Sequence, residues 1–228
     1  NRFGSEYKFI EEGYLGNYLN TSKDISISEL NVDKIDTSKV KFVVTLNGKN
    51  IDIDSKYITI SEEEKDGKFL YTYTISKDAF TEDGKYIIQV YSESDDGTEY
   101  TSVAEEYNFV IDTQKPVILV SGVESNNIYQ DYNRKVTVDV RDFSGVKSIS
   151  VILNGKAIEY TVEGDMYVFT IPESTDRQSL VVKVTDLAGN SNEIKVDNFL
   201  ISSNTWVYLI NQIWFKVLIV LVALAIIG

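Results

Sequence analysis

The 228 residues contain no cysteine and no histidine. These absences remove disulfide staples, zinc sites of the usual kind, Ser-His-Asp and Cys-His nucleophiles, and imidazole acid–base chemistry. They do not fix the redox compartment. They mean only that the fold does not depend on disulfides, as small secreted domains often do. Proline is scarce, at two residues, so turns must rest on Gly, Asn, Asp and Ser. Positive charge is outnumbered, 22 Lys and Arg against 35 Asp and Glu, for a net −13. The last 24 residues carry one charge, Lys216, which leaves −14 on the rest. An acidic surface repels phosphate backbones and argues against a nucleic-acid partner, and net charge keeps a protein soluble and monomeric. Asn1 is preceded by no methionine or signal peptide, and the chain ends inside an apolar run. It reads as an excised piece of a longer precursor.

What is abundant is strand-forming. Hydrophobic residues make up 43% of the chain, enough for a sizeable core. Val, Ile, Thr and Tyr dominate its runs, the bias of a pleated half-buried surface. Ile25 and Ile27 alternate with serines, Phe42, Val44 and Leu46 with Val43 and Thr45, and Phe69, Tyr71, Tyr73 and Ile75 with Leu70, Thr72 and Thr74. Tyr86–Tyr91 and Tyr107–Ile111 follow, and Lys8-Phe9-Ile10 offers a first strand in the tyrosine-rich opening. Period two in short runs, broken by Asp66-Gly67 and Asp83-Gly84, is the signature of half-buried antiparallel strands.

One stretch occurs twice. Val44-Thr45-Leu46-Asn47-Gly48-Lys49-Asn50-Ile51 returns as Val151-Ile152-Leu153-Asn154-Gly155-Lys156-Ala157-Ile158. Each copy reads as a hairpin closed by Asn-Gly, a turn that needs φ > 0 at both central residues. Leu46 should face Lys49, Val44 should face Ile51, and Val151 should face Ile158. Around the hairpin the second half repeats the first. Val136–Val140 matches the Ile25–Ile27 strand, Tyr167–Ile171 matches Tyr71–Ile75, and Leu180–Val184 matches Ile87–Tyr91. The offset falls from 107 residues at the hairpin to 96 at the Tyr-Thr-Ile strand. The difference is assigned to a longer connection, Ser55–Lys68, in copy one. Asp112-Thr113-Gln114-Lys115-Pro116 breaks the pattern and marks the boundary. About seven strands per half, with regular turns, is the immunoglobulin-like sandwich pattern.

Val140-Arg141-Asp142-Phe143-Ser144-Gly145-Val146, Leu153-Asn154-Gly155 and Val184-Thr185-Asp186-Leu187-Ala188-Gly189-Asn190 resemble bacterial Ig-like repeats of Gram-positive cell-surface proteins. Asp112–Pro116 matches the Asp-Thr-x-x-Pro-like linker of those repeats. The resemblance covers residues 112–199 and, on fewer motifs, 21–111, where the late turn reads Ser94-Asp95-Asp96-Gly97. It implies exported, stalk-like or adhesive modules and no reaction.

Residues 206–228 change character: Trp206 to Lys216 is mixed, and Val217 to Gly228 is uninterruptedly apolar. Thr205, Tyr208, Gln212 and Lys216 would share one face of a helix. Trp206, Tyr208 and Trp214 suit a membrane-interface belt, to which Lys216 can snorkel. The expectation is a transmembrane helix that continues past Gly228. The alternative is a hydrophobic helix buried against the sandwich.

Candidate chemistry is sparse. Asp186 to Asn190, with Asp142 and Asp112, offers clustered oxygens of the kind calcium takes. Aspartates that bond their own backbone, with Gly189 and Asn190 in left-handed geometry, explain the same residues as turns. Glu62-Glu63-Glu64 and Glu105-Glu106 are adjacent carboxylates, the pairing glycoside hydrolysis uses, but strand neighbours point to opposite faces. They read as a solvated loop or edge that guards against further pairing. Tyr71, Tyr73 and Tyr167 read as core or rim, with strand tyrosines keeping the hydroxyl in water. Tyr7, Tyr14 and Tyr18 have no evident packing duty and are the binding candidates. No catalytic, cofactor-binding or metal residue is assigned.

The sequence therefore predicts an all-β chain: one Ig-like sandwich over 1–112, a second over 113–200, and a juxtamembrane segment with a transmembrane helix over 201–228. The expected function is a non-enzymatic, membrane-anchored cell-surface stalk or adhesion module. Its expected partners are the membrane, through the C-terminal helix, and a surface protein or carbohydrate. The alternative is the ectodomain of a ligand-sensing receptor.

Overall fold

The computed structural model describes residues 2–9, 18–93, 99–101 and 107–227. The chain divides into two compact units, Asn1–Gln114 and Lys115–Gly228. Each is an immunoglobulin-like β-sandwich, and two helices close the second.

In the first unit, one sheet runs β1 (Arg2–Phe9), β3 (Ile25–Asn31), β7 (Lys68–Ile75), β6 (Ile58–Lys65). The other runs β2 (Tyr18–Leu19), β10 (Tyr107–Ile111), β8 (Gly84–Glu93), β4 (Lys41–Leu46), β5 (Lys49–Ile51), with β9 (Glu99–Thr101) beside β8. Alternation does the sorting. In β3 residues 25, 27, 29 and 31 are buried and those between are half-buried. A fully buried Ile or Val contributes about 1.5–3 kcal/mol. At the centre Phe80, Tyr86 and Phe109 meet with centroids 5.1–5.2 Å apart, Tyr86 stacked on Phe109 and Phe80 edge-on to both. The Tyr86 hydroxyl donates back to the Glu82 carbonyl at 2.8 Å. That loop back from the start of a strand to the preceding corner is the tyrosine corner of Ig sandwiches.

The second unit repeats the plan, with no counterpart of β9 among the described residues. One sheet is β11 (Val117–Ser121), β13 (Asn133–Arg141), β17 (Met166–Pro172), β16 (Thr161–Glu163). The other is β12 (Ile128–Tyr129), β19 (Ser191–Ile201), β18 (Gln178–Asp186), β14 (Val146–Leu153), β15 (Lys156–Ala157). Its core is largely aliphatic: Val136, Val138, Ile171, Leu180, Val182, Val184 and Ile201 are each 0% exposed, with Phe199 among them.

Both Asn-Gly hairpins form as read. Val44 faces Ile51 and Leu46 faces Lys49, and the Ile158 amide donates to the Val151 carbonyl at 2.9 Å. Asn47 and Gly48 sit at φ 50° and 78°, Asn154 and Gly155 at 49° and 78°. Three readings need correction. Seven strands per half undercounts: the described residues hold ten strands in the first unit and nine in the second. Among those added are the short β2 and β12, which pair parallel with the last strand of one sheet while β1 and β11 pair antiparallel in the other. The extra length in copy one is not a loop either. Most of Ser55–Lys68 is β6, paired with β7 over eight residues, where β16 pairs over three. The first strand, expected at residues 8–10, reaches further back, since β1 spans Arg2–Phe9, and residue 10 lies outside the described residues.

After β19 come α1 (Thr205–Asn211) and α2 (Ile213–Ile227), bent by 74° at Gln212. The single continuous helix face through Thr205, Tyr208, Gln212 and Lys216 is thus not formed. Gln212 is extended at φ −71°, ψ 137°, and the amide Nδ2 of Asn211 turns back onto the Val207 carbonyl at 2.8 Å. An asparagine that bonds local backbone favours a helix end over a helix interior. Among the described residues no single helix is long and apolar enough to cross a membrane, whereas the bent pair passes by length and composition together. α2 alone rises about 22 Å at 1.5 Å per residue, against about 30 Å of hydrocarbon. It is not buried against the sandwich. Residues 217 to 222 are each 47–58% exposed, and six consecutive positions cover every side of a helix.

Candidate functional site

Three places in the molecule gather chemistry. The first is the aspartate group. Asp142 follows β13, and its Oδ1 accepts from the Ser144 amide, the Ser144 hydroxyl and the Gly145 amide, each at 2.9 Å. Asp186 closes β18, fully buried. Its Oδ1 accepts from the amides of Gly189 at 2.6 Å and Asn190 at 2.8 Å, and its Oδ2 from the Asn190 side chain at 2.8 Å. The Leu187 amide bonds the Gly145 carbonyl at 2.9 Å, tying the two turns together. Asp112 Oδ1 accepts from the Gln114 amide at 3.0 Å. Asp142 and Asp186, both of the second unit, stand in turns joined by the Leu187–Gly145 bond. Of the three residues read as possible oxygen ligands, Asp142 and Asp186 stand in these two joined turns, Asp112 belongs to the first unit, and each makes the Asx-turn bonds of the competing reading.

The second place is inside the first sandwich. Glu29 is 2% exposed. Its Oε1 accepts from the Tyr73 hydroxyl at 2.8 Å and the Asn31 amide at 3.3 Å, and its Oε2 from the Ser92 hydroxyl at 3.1 Å. The Tyr71 hydroxyl accepts from the Ile35 amide at 3.0 Å. Tyr71 and Tyr73 are core, as expected, but both hydroxyls are spent on the interior rather than on water. A buried carboxyl group is tolerated when donors surround it. Sequence reasoning passed over Glu29. The signal available was a charged residue at an inward position of an otherwise regular alternation.

The third place is the seam where β19 becomes α1. The Ser202 amide donates to the Tyr129 carbonyl at 3.0 Å and the Ser174 amide to Ile201 at 2.9 Å. Glu173 Oε2 accepts from the Ser203 amide at 2.8 Å and its hydroxyl at 2.5 Å, and these two donors hold the Glu173 carboxyl below its ordinary range. Asn204 caps α1 by accepting from the amides of Trp206 and Val207. Gln130 donates to the Thr205 hydroxyl at 3.1 Å. The result is a helix bolted to the end of the sandwich.

Other sequence candidates fall elsewhere. Glu62, Glu63 and Glu64 lie exposed along β6, an edge strand, with Lys34 paired to Glu62 at 3.1 Å. Tyr167 is half-buried on β17, and Tyr18 is 39% exposed on β2. Tyr7 lies on β1, its side chain outside the described residues, as are Tyr14, Glu105 and Glu106.

No protein-family model matches the chain, and no characterised protein matches it in sequence. Several solved structures are similar to it. Fibronectin(III)-like modules of Clostridium thermocellum CbhA align at 15% identity over 87% of this chain and 94% of theirs, with a TM-score of 0.38. The Ig1–Ig3 ectodomain of mouse nectin-like molecule 4 aligns at 13% identity over 89% of this chain and 64% of its own, TM-score 0.38. Rst D1-D2 aligns at 11% identity over 86% of this chain and 99% of its own, TM-score 0.41.

Proposed function

We propose that this chain is the membrane-proximal part of a cell-surface stalk or adhesion protein, of the Gram-positive bacterial kind its turn motifs resemble. Two rigid sandwiches hold a more distal element away from the bilayer, and the C-terminal helices anchor them. The role is mechanical and interfacial rather than enzymatic. The observation that carries this reading is α2: an apolar helix with every side open can be covered only by apolar surroundings, and lipid supplies them.

Truncation after Ser203 tests it. The truncated chain is expected to be a soluble monomer in plain buffer, and the full chain to need detergent and to float with liposomes. A full chain that stays monomeric in plain buffer overturns the anchor. The second reading, a ligand-sensing ectodomain, draws on the bonded seam between β19 and α1, which leaves little slack for a motion to be lost in.

A further inference from the structure

Resting on that anchor reading, we propose that α1 is an interfacial elbow. It lies along the bilayer at the boundary of headgroups and hydrocarbon, fixed to the base of the second sandwich, and α2 turns from it into the lipid. The partner of its outward face is thus a lipid surface.

Three observations meet here. The first is sidedness. Trp206 and Ile210, one turn apart, are 70% and 48% exposed, and Ile213 and Trp214 continue at 80% and 56%. Val207, Tyr208 and Leu209 are half-buried, and Thr205 is tied to Gln130. Indole rings favour the membrane interface, where an apolar body and a polar N–H are both accommodated. The second is the angle. If α2 runs along the membrane normal, a 74° bend sets α1 within about 16° of the membrane plane. The third is the seam, whose bonds at Ser202, Ser203, Asn204 and Thr205 transmit that orientation to the sandwich. Lys216, in the first turn of α2, is exposed and within snorkelling reach of the headgroups.

The chain has only two tryptophans, Trp206 and Trp214, and both stand at the elbow. Their fluorescence therefore reports this site alone. The test places full-length W214F and W206F, each with one tryptophan, in phosphatidylcholine vesicles brominated either near the headgroup or deep in the acyl chain. Both tryptophans are expected to be quenched at least twofold more by shallow than by deep bromines and to be shielded from aqueous iodide. A straight helix would separate them in depth by about 12 Å at 1.5 Å per residue. Iodide quenching of Trp206 with bromine quenching of Trp214 overturns the elbow and leaves the anchor standing. Shielding from both quenchers means that protein, such as a second copy, covers the face, and also overturns it. A full chain that does not enter vesicles fails the anchor reading itself.

Discussion

The hydroxyl of Tyr73 donates to Oε1 of Glu29 at 2.8 Å, inside the first sandwich where neither residue reaches solvent to any extent. In the strand registers Glu29 pairs with Tyr71 as Val138 pairs with Tyr167. Two sandwiches of one plan thus fill the same inward position, one with a hydrogen-bonded carboxyl group and the other with an aliphatic side chain.

Tyr73→Phe withdraws one donor and leaves the buried carboxyl group under-satisfied. A loss of about 1–3 kcal/mol is expected, read from urea unfolding of the chain truncated after Ser203. Glu29→Val, which copies the second sandwich, orphans the donors on Tyr73, Asn31 and Ser92 at once and is expected to cost more. The reverse order would show that the carboxyl group, not its donors, is the liability.

Gly122 and Gly155 both have positive φ, 106° and 78°, but only one is crowded. A Cβ on Gly155 meets nothing within 4 Å, whereas on Gly122 it meets the Lys135 carbonyl oxygen at 2.5 Å. Gly155→Ala is therefore expected to cost about 1–2 kcal/mol, the left-handed penalty alone. Gly122→Ala is expected to cost clearly more, since backbone must move where the first strand crosses between sheets. Equal melting points for the two variants would contradict this.

Glu173 is held below the ordinary carboxylate range by the Ser203 donors. A carboxyl group whose pKa falls on folding contributes stability above its unfolded pKa, near 4.5, and loses it as pH drops through the lower folded value. The seam is expected to be intact at neutral pH and to loosen in acid below that value. Tryptophan emission from the elbow, followed against pH, should lose its acid-side transition in Glu173→Gln.

Asp186 accepts three hydrogen bonds in its turn. Asp186→Ala strands their donors and is expected to cost about 1–3 kcal/mol, part being recovered as the turn opens to water. On the turn chemistry alone, the melting point of the parent chain should be the same in calcium and in EGTA. A midpoint that rises with calcium would assign the aspartates of these turns to cation binding instead.

The long strands and both hairpins were legible because period two and Asn-Gly are local signals. What escaped the sequence has non-local causes. β2 and β12 are two residues each, too short to carry a period, and exist only because a neighbouring strand pairs with them. β6 was hidden by its own glutamates, since an edge strand needs no polar–apolar contrast where both faces meet water. Glu29 obeyed the alternation and broke only its chemistry. The bend at Gln212 escapes a reading by helical spacing, which assumes an unbroken axis, whereas the backbone turns extended there. The turns at Asp142 and Asp186 are legible because an Asx turn, too, is a local signal.

In the second sandwich β12 lies parallel to β19, with Ile128 beside Leu200 and Tyr129 beside Ile201. Parallel neighbours from the two ends of a domain are dragged in opposite directions when those ends are pulled. Their hydrogen bonds then carry the load together, in shear, instead of parting one after another like a zip. If the C-terminal helices are the anchor proposed above, tension on the last strand would reach this pairing in shear.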